Sequence, residues 1–342
     1  MNTTTTTATL RIGVIGVGRI GRMHAELLAR RVPGAAVTRV HDVVEDSARD
    51  VAQTLGVTAA ADVEELLAAD DVDAVAICSS TGTHADLIVA AANAGKAIFC
   101  EKPVSLDLVE VDRALAAVEL AGVPFQIGFN RRFDPAHAAV AAAVADGDIG
   151  EPQLVRISSR DPAPPPVEYI RNSGGIFLDM TIHDFDMARY VTGSEVVQVY
   201  ARGAVRVDPE IGDAGDVDTA VVLLEHANGC LTTIDNSRQA VYGYDQRVEV
   251  FGSAGMAASE NPLAHSAIVR SEDGTRAATL PYFYLERYVP SYLREWEAFV
   301  GAVSTGRTPP VTGPDARAPL VIGMAAWRSL REDRPVRIEE VP

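Results

Sequence analysis

The chain has 342 residues, 47% of them hydrophobic and 23% charged, with a formal net charge of −17 at pH 7. A single core rarely grows past roughly 250–300 residues, so two domains are expected. The negative charge repels nucleic acid and anionic membranes, which leaves a neutral small molecule as the better-suited partner.

Met1–Thr9 is mostly threonine and lacks both a basic region and an apolar run. It is expected as a disordered tail, not a signal peptide. No apolar stretch reaches the roughly 18–20 residues of a membrane span. Cys78, Cys100 and Cys230 are widely spaced and form no C-x-x-C or zinc pattern. They read as reduced, buried thiols, and a cytoplasmic location is expected.

From Leu10 to Gly128, short apolar strands alternate with helical patterns. Strands are predicted at Leu10–Ile15, Ala35–His41, Ala74–Cys78, Ala97–Cys100 and Phe125–Gly128. Helices are predicted at Arg19–Arg31, Asp46–Leu55, Asp86–Ala94 and Leu106–Ala121. Repeated β-α-β units with nearly continuous apolar strands imply a doubly wound parallel sheet, a Rossmann domain over residues 10–128.

The pattern then changes. Asp134–Asp146 and Phe177–Val191 are predicted helices, and most of the rest to about Leu280 is strand and turn. Val217–Glu225 and Cys230–Asp235 flank Ala227-Asn228-Gly229, a hairpin signal. Tyr288–Val300 and Pro314–Leu330 are further predicted helices. Strands without intervening helices suggest an α+β domain with a mainly antiparallel sheet over residues 129–342, its last helix packing back on the first domain. The prolines of Asp161–Pro166 predict a stiff loop at the domain junction.

Gly16-Val17-Gly18-Arg19-Ile20-Gly21 is a G-x-G-x-x-G between a predicted strand and a predicted helix. The glycines permit a tight turn, approach of a pyrophosphate and close helix packing, and the helix N-terminus supplies amides. Asp42 ends the second strand, where a carboxylate bonds ribose hydroxyls and repels a 2′-phosphate. NAD is therefore favoured over NADP, with His41 and Arg49 nearby as the opposing feature. Ser79, Ser80 and Thr81 follow another parallel strand and are candidate cofactor contacts. Thr83 suits a helix N-cap, and His84 suits either a cofactor-side contact or a structural role.

Two clusters can carry chemistry. Glu101-Lys102-Pro103 lies at a strand end, where Pro103 restricts Lys102 to an extended conformation. Lys102 can point into the crevice and bond a substrate hydroxyl, or form a surface pair with Glu101. In Gly174–Asp184, a continuous helix places Asp179 and His183 at i and i+4 on one face. A carboxylate beside an imidazole suits general base catalysis, and equally a helix-stabilising pair. One histidine and several aspartates on one helix do not make a zinc set, so no metal is expected.

The order G-x-G-x-x-G, acidic strand end, E-K-P, then G-G-x-x-x-D-x-x-x-H-D resembles the Gfo/Idh/MocA oxidoreductases over nearly the whole chain. The resemblance implies a Rossmann domain, a second domain with a large, open, mainly antiparallel sheet, and a homo-oligomer, tetramer or dimer. It also implies an NAD-dependent dehydrogenase acting on a small polyol or sugar. Lys102 corresponds to the lysine that positions the reacting hydroxyl, and Glu101 precedes it beside the cofactor. Asp179 and His183 correspond to the catalytic pair, with His183 as proton acceptor and hydride passing to nicotinamide. Gly128–Asp134, Ser159–Pro162, Asn236–Arg238 and Tyr242–Asp245 are most similar to the inositol 2-dehydrogenase branch. On that resemblance Arg131, Asp161, Tyr242 and Tyr244 are expected to contact substrate hydroxyls, and myo-inositol is the expected substrate. The alternatives are another cyclitol or sugar, an NAD-using glycoside hydrolase, and a non-catalytic NAD-binding regulator.

Overall fold

The structure, a computed structural model, describes residues 9–342. The expected tail therefore lies outside the described residues except for Thr9. The chain forms two compact units and crosses between them three times. Residues up to Phe129 join Tyr292–Arg317 in the first unit, and Asn130–Ser291 joins Ala318–Pro342 in the second.

The first unit alternates β1 (Leu10–Ile15), α1 (Arg19–Arg30), β2 (Ala35–His41), α2 (Glu45–Leu55), β3 (Thr58–Ala59), α3 (Val63–Ala68), β4 (Ala74–Ile77), α4 (Thr81–Asn93), β5 (Ala97–Glu101), α5 (Leu108–Ala121) and β6 (Phe125–Gly128). The strands pair in parallel in the order β3-β2-β1-β4-β5-β6. Every residue of β4 is buried, as a central parallel strand requires. The strand order reverses between β1 and β4, and ligands of such sheets bind beyond the strand ends at that point.

The second unit contains α6 (Pro135–Ala145), β7 (Pro152–Arg160), α7 (Val167–Ser173), α8 (Gly175–Asp179), α9 (Ile182–Thr192), β8 (Val196–Ala204), α10 (Pro209–Asp213), β9 (Thr219–His226) and β10 (Leu231–Ser237). It continues with β11 (Asp245–Gly252), β12 (Met256–Ser259), β13 (Val269–Ser271), β14 (Gly274–Arg276) and α11 (Tyr284–Arg287). Then come α12 (Val289–Thr305), α13 (Gly313–Glu332) and β15 (Val336–Arg337), with α12 and α13 spanning the later crossings. A seven-stranded sheet runs β12-β11-β7-β10-β9-β8-β15. All its pairs are antiparallel except β7 with β10. β9 and β10 form the hairpin expected around Ala227–Gly229. Alternation along β9 buries Ala220, Val222 and Leu224 and exposes Val221 and Leu223.

The segment that returns to the first unit, Tyr292–Arg317, takes in most of α12 and only the first residues of α13, the predicted last helix. Trp296, Phe299 and Val300 of α12 are buried among Leu10, Ile12, Val14 and Phe99. In α13, Ile322, Ala325 and Ala326 pack instead into the second unit's core with Val155, Phe185 and Leu224. The apolar stripe of each helix decides its unit, and both stripes look alike in sequence.

The continuous helix expected over Phe177–Val191 is also corrected. It breaks into α8 and α9 at Met180-Thr181. The Thr181 amide reaches back five residues to the Ile176 carbonyl at 2.9 Å, an oxygen that also accepts from Met180 at 3.0 Å. The buried Thr181 hydroxyl donates to Asn236 Oδ1 of β10 at 2.7 Å. A polar side chain from a distant strand thus pins the break. Helix α4 starts five residues before its predicted position, so Thr83 lies inside its first turn and Ser80 is the N-cap.

Candidate active site

At the end of β1, Gly16 has φ +86°, and a Cβ there would lie 2.5 Å from the Ser79 amide nitrogen. A Cβ on Gly21 would meet the Gly16 carbonyl oxygen at 1.9 Å, whereas Gly18 faces open space. Gly18 caps α1 and has no side chain of its own to occupy the amides of the first turn. This cradle fits a pyrophosphate. Asp42 Oδ2 accepts the Val17 amide at 2.8 Å and Oδ1 accepts the Val44 amide at 2.9 Å. The carboxylate therefore braces the glycine loop and keeps further lone pairs for ribose hydroxyls.

Ser79, Ser80 and Thr81 lie where β4 passes into α4. The Ser79 hydroxyl pairs with Thr83 Oγ1 at 2.7 Å, and Thr83 donates to the Ser80 carbonyl at 2.8 Å. His84 is buried, with Nδ1 at 2.8 Å from the Pro103 carbonyl and Nε2 at 3.0 Å from the Ser79 carbonyl. Burial lowers its pKa against the pull of those carbonyls. Glu101 is likewise turned inward: Oε1 is 2.7 Å from His24 Nε2, and Oε2 accepts the Lys102 amide at 3.2 Å. Both residues grip the chain on either side of Lys102, whose peptide with Pro103 is cis.

In the second unit, Gly175 has φ +76°, and a Cβ there would lie 2.5 Å from Trp327 Cζ2 and 2.8 Å from Asp216 Oδ1. This tight turn starts α8, with the Ile176 amide donating to Asp216 Oδ1 at 3.0 Å. Asp179 ends α8. Its Oδ1 accepts the Tyr169 hydroxyl at 2.8 Å, and its Oδ2 faces Arg238 Nη1 at 3.3 Å. Burial and Asp179 together push the Tyr169 pKa up, so its phenol stays a donor. Arg238 Nη2 lies 3.5 Å from Asp216 Oδ2. His183 is the second residue of α9, across the helix break from Asp179.

Beside His183, the buried Asp184 accepts from Arg131 Nη1 at 2.7 Å and from Asn236 Nδ2 at 2.8 Å. Arg131 also reaches Ser159 Oγ at 3.3 Å and the Tyr244 hydroxyl at 3.5 Å. Asp161 leaves β7 with its amide on the Ser237 carbonyl at 2.9 Å, and its carbonyl accepts the Ala240 amide at 2.6 Å. Burial raises the Asp161 carboxyl to about 6, opposed by Arg238.

The structure thus brings Arg131, Asp184 and Tyr244 into one polar cluster, and Asp179 and Arg238 into another. Tyr242 is the exception. Its hydroxyl donates to Asp245 Oδ2 at 2.6 Å and accepts from Arg160 Nη1 at 3.0 Å. Arg160 also binds Asp235, one residue out of step with the inward-facing Ser159 and Asn236. Strand alternation sends those side chains to the opposite face of the sheet. Tyr242 is therefore not among the side chains that surround Arg131.

Sequence reasoning missed His24, Tyr169, Asp184, Asn236 and Arg238 as site residues. Asn236 carried one signal, since it shares the inward phase of β10 with Thr232 and Ile234. Arg238 is 1% exposed, which nothing in its neighbours' sequence indicates. Among the described residues, no group of three or more His, Cys, Asp and Glu side chains could hold a metal ion. None of the described helices is long and apolar enough to cross a membrane.

Residues 10–129 match the family described as oxidoreductase, NAD-binding Rossmann fold, and residues 137–258 match the GFO/IDH/MocA C-terminal domain. Myo-inositol 2-dehydrogenase of Thermotoga maritima is 53% identical over 333 residues, covering 97% of this chain and 99% of that protein. Inositol 2-dehydrogenase of Rhizobium meliloti is 46% identical over 330 residues, covering 96% of this chain and 99% of that protein. A solved scyllo-inositol dehydrogenase from Lactobacillus casei, with bound NAD(H) and scyllo-inositol, superposes with a TM-score of 0.91 at 30% identity, covering 97% and 99% of the two chains. With both family domains matched across most of its length, this chain belongs to the GFO/IDH/MocA oxidoreductase family and carries its NAD-binding Rossmann domain.

Proposed function

We propose that the chain oxidises one ring hydroxyl of myo-inositol, giving the 2-keto inosose (scyllo-inosose) and NADH. The observation that carries this reading is the pair of ordered polar clusters built on Asp179 and Asp184, which flank His183 in the sequence. Asp179 is held by Tyr169 and Arg238, and Asp184 by Arg131 and Asn236. A hydroxylated ring needs many such donors and acceptors, and a site built to pair with them rejects analogues that lack the hydroxyls. The likeness to inositol dehydrogenases over nearly the full chain supports the same substrate class.

In this reading Lys102 donates to the reacting hydroxyl and stabilises negative charge developing on its oxygen. His183 removes the hydroxyl proton, and Asp179 orients the imidazole and favours its charged form. Arg131, Asp161 and Tyr244 hold the remaining hydroxyls. Gly16, Gly18, Arg19, Ile20 and Gly21 hold the pyrophosphate, Asp42 the ribose, and Ser79, Ser80 and Thr81 line the same crevice. Bound NAD supplies the hydride acceptor. Asp42 disfavours the 2′-phosphate of NADP.

A second reading, scyllo-inositol or another cyclitol as substrate, uses the same residues, and the Lactobacillus casei complex favours it. We also propose a homo-oligomer, dimer or tetramer, built through the outer face of the seven-stranded sheet. That face exposes Leu154, Val221, Leu223, Leu231 and Phe251, and a run of apolar side chains on one sheet face suits burial against a second copy. The three free, buried cysteines support a reducing, cytoplasmic setting.

The test is NADH formation across myo-inositol, scyllo-inositol, D-chiro-inositol, glucose and levoglucosan. Turnover of myo-inositol well above the rest supports the first reading, and preference for scyllo-inositol supports the second. Activity on glucose or levoglucosan alone overturns both.

A further inference from the structure

The catalytic lysine sits on a buried chain of hydrogen bonds that begins far away in sequence. Trp296 Nε1 lies 2.8 Å from His24 Nδ1, and His24 Nε2 lies 2.7 Å from Glu101 Oε1. The other Glu101 oxygen accepts the Lys102 amide at 3.2 Å. An indole N–H only donates, so His24 Nδ1 must accept. The ring proton then sits on Nε2 and points at Glu101. His24 is 0% exposed, with the rings of Phe99, Tyr292 and Trp296 edge-on at centroid distances of 5.5, 5.3 and 5.6 Å.

We propose that Trp296 and His24 are positioning residues that set the direction of Lys102 through Glu101. The proposal rests on the reading of Lys102 as the hydroxyl-positioning lysine. Glu101 joins this chain of hydrogen bonds to Lys102 by accepting its amide on one oxygen, and its other oxygen needs a holder to fix the carboxylate plane. His24 holds it, and Trp296 fixes the tautomer that lets it do so. Beyond Lys102, His84 holds the Pro103 carbonyl, so the backbone is gripped on both sides of the lysine. Catalysis is sensitive to this geometry, since a displacement of about 1 Å can cost 10²-fold in rate. The return of α12 to the first unit thereby acquires a purpose beyond packing, because it delivers the Trp296 donor.

Two substitutions separate this role from mere filling of space. His24→Asn offers an amide oxygen to Trp296 but does not reach Glu101, whereas His24→Gln places an amide N–H toward Glu101. The expected result for His24→Asn is a fall in kcat of roughly 10- to 100-fold with NAD affinity within about twofold. His24→Gln keeps kcat within about threefold of the unsubstituted protein. Hydrogen exchange at the Lys102 amide, read by NMR, accelerates by about tenfold in His24→Asn and stays unchanged in His24→Gln.

Equal losses in the two variants, or a loss that tracks NAD affinity, would overturn the proposal. So would an unchanged Lys102 exchange rate in His24→Asn. If His24→Asn does not fold, Glu101→Gln turns an amide donor toward the Lys102 N–H and reports on the same contact. If the unsubstituted protein oxidises no polyol, the functional reading fails while the exchange comparison still decides the relay.

Discussion

The guanidinium of Arg238 lies 3.3 Å from Asp179 and 3.5 Å from Asp216, and only 1% of the arginine is exposed. It is the cation that allows two carboxylates to sit together beneath the surface of the second unit. Arg238→Met should lower stability by about 3 kcal/mol, the scale for a broken buried pair, because Asp216 and the partly buried Asp179 lose their shared guanidinium. Arg238→Lys should recover part of that loss. Urea midpoints, with kcat measured at saturating substrate, check both; unchanged stability in Arg238→Met would show the pair to be dispensable.

Lys102→Ala and His183→Ala should each lower kcat by at least about 10²-fold, the scale of general acid–base groups. NAD affinity, measured by protein fluorescence, should barely move. Near-normal turnover in either variant would remove that residue from the mechanism.

Asp42 braces the glycine loop and is proposed to bind the ribose, so Asp42→Ser should act twice. It should reduce the NAD-over-NADP ratio of kcat/KM by roughly tenfold or more, since one lost charge contact is worth a kcal/mol or two. It should also weaken NAD itself by freeing the Val17 amide. An unchanged cofactor ratio would count against the ribose role.

Tyr242 and Tyr244 are two residues apart yet bond different groups. Tyr244→Phe should raise the KM for the polyol several-fold, because its hydroxyl belongs to the Arg131 cluster. Tyr242→Phe should leave kcat/KM within about twofold, since its hydroxyl bonds Asp245 and Arg160 and not the Arg131 cluster. Steady-state kinetics of the two variants, with sedimentation to follow assembly, distinguish these outcomes.

Asp161 gives a pH prediction. Its carboxyl rises from 3.8 to about 6 in the folded chain, chiefly by burial. The folded state therefore binds this proton more tightly than the unfolded state does. The resulting destabilisation is absent below pH 3.8, grows between 3.8 and about 6, and is full above that. Asp161→Asn should remove this slope, gaining roughly 1–3 kcal/mol at pH 7 relative to pH 4. The polyol KM should fall as pH rises through about 6 in the unsubstituted protein, since the ionised carboxylate is the better acceptor. A flat KM profile would detach Asp161 from the substrate.

The parallel strands, the glycine turn and the E-K-P strand end were legible because their signals are local. An apolar run of four to six residues reads as a buried strand, and Gly16 and Gly21 are spaced by the turn they make. Asp179 and His183 stood out as candidates by type and spacing, but the helix expected to join them is not continuous. Thr181 looks helical until Asn236, 55 residues later, takes its hydroxyl.

The amino-acid sequence by itself determined the family, the parallel sheet and the glycine turn, because each depends on motifs of neighbours within a few residues. Tertiary structure alone decided which polar residues are buried against one another. Trp296 meets His24 across 272 residues, Arg131 meets Asp184 across 53, and Tyr242 parts from Tyr244 by the face of a sheet. Burial and orientation are properties of the packed whole: the same arginine or histidine is a solvated surface group or a positioned one according to what closes over it, and no local pattern records that.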